Sequence, residues 1–247
     1  MKHIHLLSIF TAILILSNSA DCQVMSLENH QDLAIFSNMN AERDKLMVDG
    51  KFVNTSVIQG SPYLEDKFKN GAIKNLQNDK IITTNLRYRI FDDMFEIQAN
   101  SDSEELSVLK RSKNYSIKIN NKSFVFVENF PIKMKGVYNG YVLILSNNND
   151  PKDGVVLYKR IIQQYIEAKK KANSYSNSKS RLVNEEYYFI AIDDKILQIE
   201  PNRKKAADAF PNHNSKLDKY IKDNKIKFRG NDEESDLIKL VEYYNTL

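Results

Sequence analysis

Cysteine occurs once in the chain, at Cys22, so no disulfide can close within it and no thiolate cage can be built for a metal. Histidine is nearly as scarce. His3 and His5 stand in the first few residues, which leaves only His30 and His213 to serve as a general base, and no partner pattern surrounds either. Two isolated histidines without thiolates argue against zinc or redox-metal sites. Tryptophan is absent, with 7 Gly and 5 Pro, while Asn, Lys and Ile abound; this fits an A/T-rich genome and carries no mechanism. A field of one sign is missing too. The 36 basic and 32 acidic residues are interleaved and leave a formal charge of +4, which excludes the concentrated positive surface of a nucleic-acid binder. H-E-x-x-H, phosphate-loop, dinucleotide and EF-hand patterns are absent, as is a G-x-S-x-G elbow. No cofactor, no metal and no catalytic residue is therefore assigned from the sequence.

What is present begins at the N-terminus. Lys2, His3 and His5 precede an unbroken apolar run from Leu6 to Leu16, followed at once by Ser17, Asn18 and Ser19. This is the layout of a secretory signal peptide, and the run is far shorter than the roughly 20 residues that cross a bilayer. Ala20 and Cys22 occupy the small-residue positions of a cleavage site, so residues 1–22 are expected to be removed, leaving Gln23 first; the rival cut follows Ala20. Cys22 is also placed as a lipoprotein acceptor, but Asp21 before it and Ser19 depart from that pattern. The expectation is an exported protein, periplasmic or extracellular, with lipid anchoring at Cys22 as the alternative and no transmembrane segment in the mature chain.

With 42% hydrophobic and 28% charged residues, the remainder has the balance of a folded globular protein. Residues 23–45 read as a polar lead-in with a short amphipathic turn at Leu33, Phe36 and Met39. From residue 46 to 200, short β-branched and aromatic runs alternate with Asn, Asp and Gly, the sign of consecutive antiparallel strands. Asn85 to Ala99 reads as a hairpin around Asp92-Asp93, Tyr187 to Ile199 as one around Asp193-Asp194, and Tyr115 to Val127 as one around Asn120-Asn121. Asp and Asn tolerate the left-handed backbone that tight hairpin turns need, so both Asp pairs read as turn tips that would accept Asn-Gly. Val155 to Tyr158 continues the sheet after Tyr141 to Ser146. Tyr158, Ile161, Ile162 and Tyr165 also recur at helical spacing, so this strand is expected to give way to a helical or irregular stretch, with Ala172 to Ser180 an exposed loop.

Residues 201–247 are expected to be helical, over Arg203 to Phe210, Ser215 to Asp223 and a last helix from Asn231 or Asp232. Asn231 with Glu234 would form its capping box, and Leu237, Leu240, Val241 and Tyr244 would dock it on the sheet. The fold class is thus α+β: a meandering, curved antiparallel sheet followed by a small helical region.

Gly60-Ser61-Pro62-Tyr63-Leu64 with Phe68 and Gly71, Leu86-Arg87-Tyr88-Arg89-Ile90 running into an acidic turn, Phe210-Pro211 and the closing Leu237 to Tyr244 helix resemble stretches shared by uncharacterised secreted proteins of Bacteroidota-type bacteria. The resemblance implies a Gram-negative envelope setting and assigns no activity to any residue.

Carboxylates are the remaining catalytic stock: Asp92 with Asp93, Glu104 with Glu105, Glu185 with Glu186, and Asp193 with Asp194. Neighbours in a strand point to opposite faces, whereas a glycosidase needs two carboxyls facing each other across a substrate, so these pairs read as turns and solvated positions. Lys159 with Arg160, Lys169 to Lys171, and Lys179 with Arg181 could form a basic patch for anionic lipid or polysaccharide but read better as a solvated helix end. Tyr63, Tyr88, Tyr115, Tyr138, Tyr141, Tyr187 and Tyr188 offer flat amphipathic surfaces for a site. The expected role is a non-catalytic envelope binding or accessory protein for an apolar or glycan ligand. The alternatives are a carboxylate-based hydrolase of envelope sugars or peptides, and a protein–protein interaction module.

Overall fold

A computed structural model describes residues 34–37, 44–99, 105–168 and 179–247. The expected signal peptide with Cys22, His30, Leu33, Met39, Glu104, Lys169 to Lys171 and most of the Ala172 to Ser180 stretch lie outside the described residues.

The described chain is mostly antiparallel sheet. Its strands are β1 (Ala34–Ser37), β2 (Lys45–Val48), β3 (Lys51–Asn54), β4 (Lys69–Asn75), β5 (Ile81–Arg89), β6 (Met94–Gln98), β7 (Leu106–Leu109), β8 (Tyr115–Ile119), β9 (Lys122–Ile132), β10 (Gly136–Ile144), β11 (Val156–Ile166), β12 (Arg181–Ile192) and β13 (Lys195–Ile199). Eleven of them join in the order β1-β7-β6-β5-β4-β8-β9-β10-β11-β12-β13, and β2 pairs with β3 as a separate hairpin. The sheet is not closed. All three expected hairpin turns form, with Asp93, Asn120 and Asp193 at φ of 53°, 54° and 50°, the left-handed region these side chains tolerate. One departure from simple meandering is the placing of β4 between β5 and β8. There the backbones approach so closely that a Cβ on Gly71 would lie 2.7 Å from the Lys118 carbonyl oxygen. Only glycine fits.

Three expectations change. Phe36 lies in β1, paired with Val108, rather than in an amphipathic turn: the free edge of β7 supplies backbone partners that a short isolated turn lacks. The stretch after Tyr158 remains extended to Ile166, because β12 offers it an unbroken ladder from Val156↔Ala191 to Ile166↔Arg181. Its helical spacing of apolar residues is overridden by cross-strand pairing, which rewards the β-branched Ile161 and Ile162. Arg203 to Phe210 forms turns ending in a 3₁₀ turn at Ala207–Ala209. Phe210 is extended (φ −84°, ψ 142°), as a residue before proline prefers, and ends the turn there.

Helices α1 (Asn214–Asp223) and α2 (Glu233–Tyr244) follow. The capping box does not form: Asp232 is helical and makes no side-chain cap bond, and a 3₁₀ turn over Gly230–Asp232 leads straight into α2. The docking stripe does form, with Leu237, Leu240 and Val241 fully buried against Val155, Leu157, Tyr188 and Ile190 of the sheet. The Asn245 side chain fastens the end of α2, accepting from the Val155 N–H at 2.8 Å and donating to its carbonyl at 2.9 Å.

A second core covers one face of β4 to β10, where Leu86, Tyr88, Phe95, Ile97, Ile117, Phe124 and Tyr141 are buried. Phe95 of β6 lies 5.1 Å from Phe124 of β9 and 4.8 Å from Tyr141 of β10, ring centroid to centroid, although four strands stand between β6 and β10 in the sheet. Each such side chain contributes about 1.5–3 kcal/mol by leaving water.

Candidate functional site

The β5–β6 hairpin separates two sets of polar groups. Side chains alternate along a strand, so Tyr88 and its partner Phe95 face the apolar core while Arg87, Arg89 and Glu96 face the other way.

On the inner side, Asp93 directs its carboxylate into the core. Its Oδ1 accepts from the Tyr88 hydroxyl at 2.6 Å, from the Tyr141 N–H at 3.3 Å and from the Arg160 guanidinium. Arg160 Nη1 also donates to the Tyr141 carbonyl at 2.8 Å and to the Tyr88 oxygen at 3.0 Å. The β10–β11 ladder explains this arrangement. It has two residue pairs, Leu143↔Lys159 and Ile144↔Tyr158, and stops before Tyr141, paired with Phe126 of β9 on its other side, can meet a backbone partner on β11. The ion pair takes over: the carboxylate receives Tyr141's N–H and the guanidinium serves its carbonyl. Gly140 makes room, since a Cβ there would stand 2.6 Å from Asp93 Oδ2 and 2.9 Å from Arg160 Cζ. Burial, then the charge of Asp93, hold the Tyr88 and Tyr141 phenols above their ordinary range. The Tyr141 hydroxyl and Arg160 Nε are buried and have no hydrogen-bond partner among the described residues. This cluster fixes the seam between two parts of the sheet, and the only cavity described against this face, beside Leu86, Tyr88 and Phe124, measures about 10 Å³, room for one water at most. It cannot admit a substrate.

On the outer side, Glu96, 1% exposed, lies directly opposite Arg87. Arg87 grips it through Nε at 3.0 Å and through Nη2, and donates to the Tyr63 hydroxyl at 3.0 Å and the Asp66 carbonyl at 2.9 Å. Its guanidinium is layered between rings, 3.7 Å from the Tyr63 centroid and 4.3 Å from that of Phe68. Arg89 pairs with Asp92 and Glu96 and donates to the Lys45 carbonyl, which ties the β2–β3 hairpin to the sheet beside the buried Leu46. Burial, then the charge of Glu96, push the Tyr63 phenol up to about 12. Burial likewise raises Asp92, opposed by Arg89.

Two open clefts flank the β2–β3 hairpin. The first, about 540 Å³, is lined by Asp44, Asn54, Thr55, Ser56, the Gly60–Tyr63 loop and Asp66. The second, about 580 Å³, is walled by Met47, Val48, Asp49, Lys51 and Val53 of the hairpin, by Phe91 of the β5–β6 turn, and by Gln163, Gln164 and Tyr165 of β11 with Glu167 after it. Both have the volume of small-ligand sites, and the first combines hydroxyl, amide and carboxylate side chains with Gly60, Pro62 and the Tyr63 ring, in about equal polar and apolar measure.

The other residues singled out in the sequence do not converge. Asp193 and Asp194 are exposed turn residues. Glu185 pairs with Lys135, while Glu186 on the opposite face pairs with Lys159 at 2.8 Å. Lys159 also binds Glu234 at 2.8 Å and Arg160 is buried, so the two make no basic patch; Lys179 and Arg181 are exposed. His213 is an exposed residue preceding α1, with its ring 6.0 Å from that of Tyr244. Tyr88, Tyr141 and Tyr188 are buried, Tyr115 and Tyr187 pack at core margins, and Tyr138 is 37% exposed on β10. Of the set, Tyr63 alone lines a cleft among those described. Sequence reasoning passed over Glu96 and Gly140. The first was findable, because the Met94 to Ile97 alternation sets Glu96 outward, across from Arg87 in the hairpin register; nothing local marks the second. No protein-family model, curated protein or solved structure matches the chain.

Proposed function

We propose that the mature protein is exported to the envelope, periplasmic or extracellular, and is a non-catalytic binding protein whose ligand is a glycan seated in the cleft between the β2–β3 hairpin and the Gly60–Tyr63 loop. The observation that carries this reading is the contrast between that cleft and the apolar face. Five strand spacings separate β6 from β10, roughly 24 Å in a flat sheet, yet the Phe95 and Tyr141 ring centroids are 4.8 Å apart. The sheet is therefore inferred to curve, with its concave face filled by its own side chains. A face packed in this way favours the glycan over the apolar ligand that the sequence also allowed. The cleft, by contrast, offers hydroxyls, amides and the Tyr63 ring, which Arg87 and Glu96 hold rigidly, the combination that hydrogen-bonds and stacks on sugars. The Leu6 to Leu16 run and the resemblance to secreted Bacteroidota-type proteins support the envelope setting.

Purified protein is to be screened against immobilised envelope polysaccharides and peptidoglycan, with Ser56→Trp as a variant that fills the cleft from an exposed position. Binding without turnover, lost in Ser56→Trp, is the expected result. Asp44 and Asp66 line the same cleft, so turnover that disappears in Asp44→Asn or Asp66→Asn would replace this reading with the hydrolase. Extraction of copurifying lipid in place of glycan would restore the apolar ligand. Export is tested by the mass of the mature N-terminus: Gln23 first is expected, a lipidated Cys22 makes the protein anchored, and an intact cytoplasmic chain removes the envelope setting.

A further inference from the structure

The β9–β10 ribbon runs out beyond its neighbours. The β8 ladder reaches β9 no further than Val125 and the β11 ladder meets β10 only from Leu143, so among the described strands the stretch from Val127 to Gly140 is paired with itself alone. Alternation turns Phe130 and Ile132 into the core beside Val142, Tyr158 and Phe189, and leaves Pro131 with its partner Val137 in water. Val137 is 65% exposed and Met134, in the turn, 98%. One apolar side chain in water is ordinary, but here Pro131, Met134, Val137 and the partly exposed Tyr138 share one ribbon end. Met134 also has a left-handed backbone (φ 65°), which asparagine or glycine adopts with less strain. The turn is nonetheless held firmly. The Lys135 N–H donates to the Ile132 carbonyl at 2.9 Å, the Lys133 N–H to Gln198 Oε1 of β13 at 2.7 Å, and the Tyr138 hydroxyl to the Lys135 carbonyl at 3.0 Å.

Cations surround this tip. Lys133 and Lys205 share one carboxylate, Glu200, at 3.0 and 2.6 Å, which draws the turn after β13 up to the hairpin. Arg203 and Lys204 precede Lys205 in that turn, are exposed and form no ion pair among the described residues. Lys135 pairs with Glu185 of β12. Counting the exposed Asp208 as well, Lys133, Lys135, Arg203, Lys204 and Lys205 outnumber Glu185, Glu200 and Asp208.

We infer that the tip of the β9–β10 hairpin docks the protein on an anionic lipid surface. Met134 and Val137 enter the boundary between headgroups and acyl chains, Tyr138 lies at headgroup level, and Arg203, Lys204 and the uncompensated charge of the Lys133–Glu200–Lys205 group meet the lipid phosphates. Neither part is sufficient. So small an apolar contact binds weakly and a few exposed cations are screened by salt, whereas together they give a reversible, salt-sensitive attachment. A soluble acidic polysaccharide satisfies only the cations, and a second copy of the tip brings like charges together; a bilayer containing anionic lipid satisfies both the charge and the apolar end. The tip shares no residue with the cleft at the Gly60–Tyr63 loop, so the attachment does not depend on the glycan reading.

Co-sedimentation of the full mature chain with vesicles of phosphatidylcholine, and with vesicles of phosphatidylcholine and phosphatidylglycerol in equal parts, tests this. Sedimentation with the mixed vesicles alone, reversed by salt, is expected. Met134→Asn suits the left-handed backbone, so it should keep or raise the thermal midpoint while weakening partition about tenfold, and Met134→Leu should bind as the wild type does. Arg203→Gln with Lys204→Gln should weaken partition roughly twentyfold. The chain contains no tryptophan, so Met134→Trp provides a single reporter whose emission should shift to the blue on the mixed vesicles. Ser56→Trp, which fills the cleft, should sediment like the wild type, so failure of the lipid docking and failure of the glycan reading are told apart. Equal binding to both kinds of vesicle, binding to neither, or binding that survives Met134→Asn overturns the docking. So does self-association without vesicles that Met134→Asn abolishes, or binding of a soluble acidic polysaccharide in place of vesicles.

Discussion

The two faces of the β5–β6 hairpin carry similar residues to opposite ends. On each, a carboxylate and a guanidinium are buried together with a tyrosine hydroxyl: Asp93, Arg160 and Tyr88 inside, and Glu96, Arg87 and Tyr63 outside. The inner set is bounded by core rings and by Gly140, and its hydrogen bonds stand in for a missing backbone ladder. The outer set is bounded by a loop and a hairpin, and what it holds in place is the wall of an open cleft. The same chemistry therefore holds the fold together on one side and orients a surface on the other. What decides between them is whether the tyrosine ring ends in packed core or at a cleft.

If this contrast holds, inner substitutions change stability and spare the cleft. The largest effect is expected from Asp93→Ala, which leaves Arg160 buried without its carboxylate and the Tyr141 N–H without an acceptor; a loss of about 3–5 kcal/mol by chemical denaturation is predicted. A loss below about 1 kcal/mol would mean that Arg160 finds water in the seam. Gly140→Ala comes next, at about 1–3 kcal/mol, because its methyl meets the ion pair from below van der Waals distance. A neutral Gly140→Ala would show that the seam between β10 and β11 opens easily.

A third test uses pH. The Tyr63 phenol is raised from 10.0 to about 12, so its neutral form is favoured by folding. The unfolded chain then loses that proton first, and the corresponding stability is complete below pH 10 and lost as pH rises from about 10 to about 12. Spectrophotometric titration should show one late-ionising tyrosine fewer in Tyr63→Phe than in the wild type, with the melting temperature falling across that window less in the variant. Tyr158 and Tyr188, also pushed up to about 12 by burial, contribute in the same direction and remain in the variant. Ionisation of Tyr63 near 10 would mean that its ring is not held by the outer set.

The smallest effect is expected at the other acidic turn. Asp193 shares the left-handed backbone of Asp93 but is exposed, so the double change Asp193→Asn with Asp194→Gly should alter stability by no more than about 0.5 kcal/mol in either direction. The same change at Asp92 and Asp93 removes the core ion pair and should approach the cost of Asp93→Ala. These two turns also mark how far the sequence could be read. Turn position and backbone conformation depend on the residues themselves, and Asp92-Asp93, Asn120-Asn121 and Asp193-Asp194 were all placed correctly from them. Burial depends on what arrives from elsewhere: nothing near Asp93 announces Arg160, 67 residues along the chain. The docking stripe of α2 was legible because its periodicity belongs to one element. The extended course of Ile161 to Ile166 was not, because a ladder with β12 decided it against the local spacing. The cleft was least legible of all. It is formed where the β2–β3 hairpin and the Gly60–Tyr63 loop meet; Gly60 to Tyr63 stood out only by resemblance, and Tyr63 alone of the lining was offered for a site, in a set of tyrosines otherwise given to the core and its margins.

The decisive measurement pairs glycan affinity with thermal stability in two variants, Asp93→Asn and Ser56→Trp, using whichever envelope saccharide the screen retains. Asp93→Asn should melt well below the wild type and, while folded, bind the saccharide with unchanged affinity; Ser56→Trp should melt with the wild type and lose binding. Affinity that falls in Asp93→Asn and survives in Ser56→Trp would place the ligand on the inner face and contradict the division between the two.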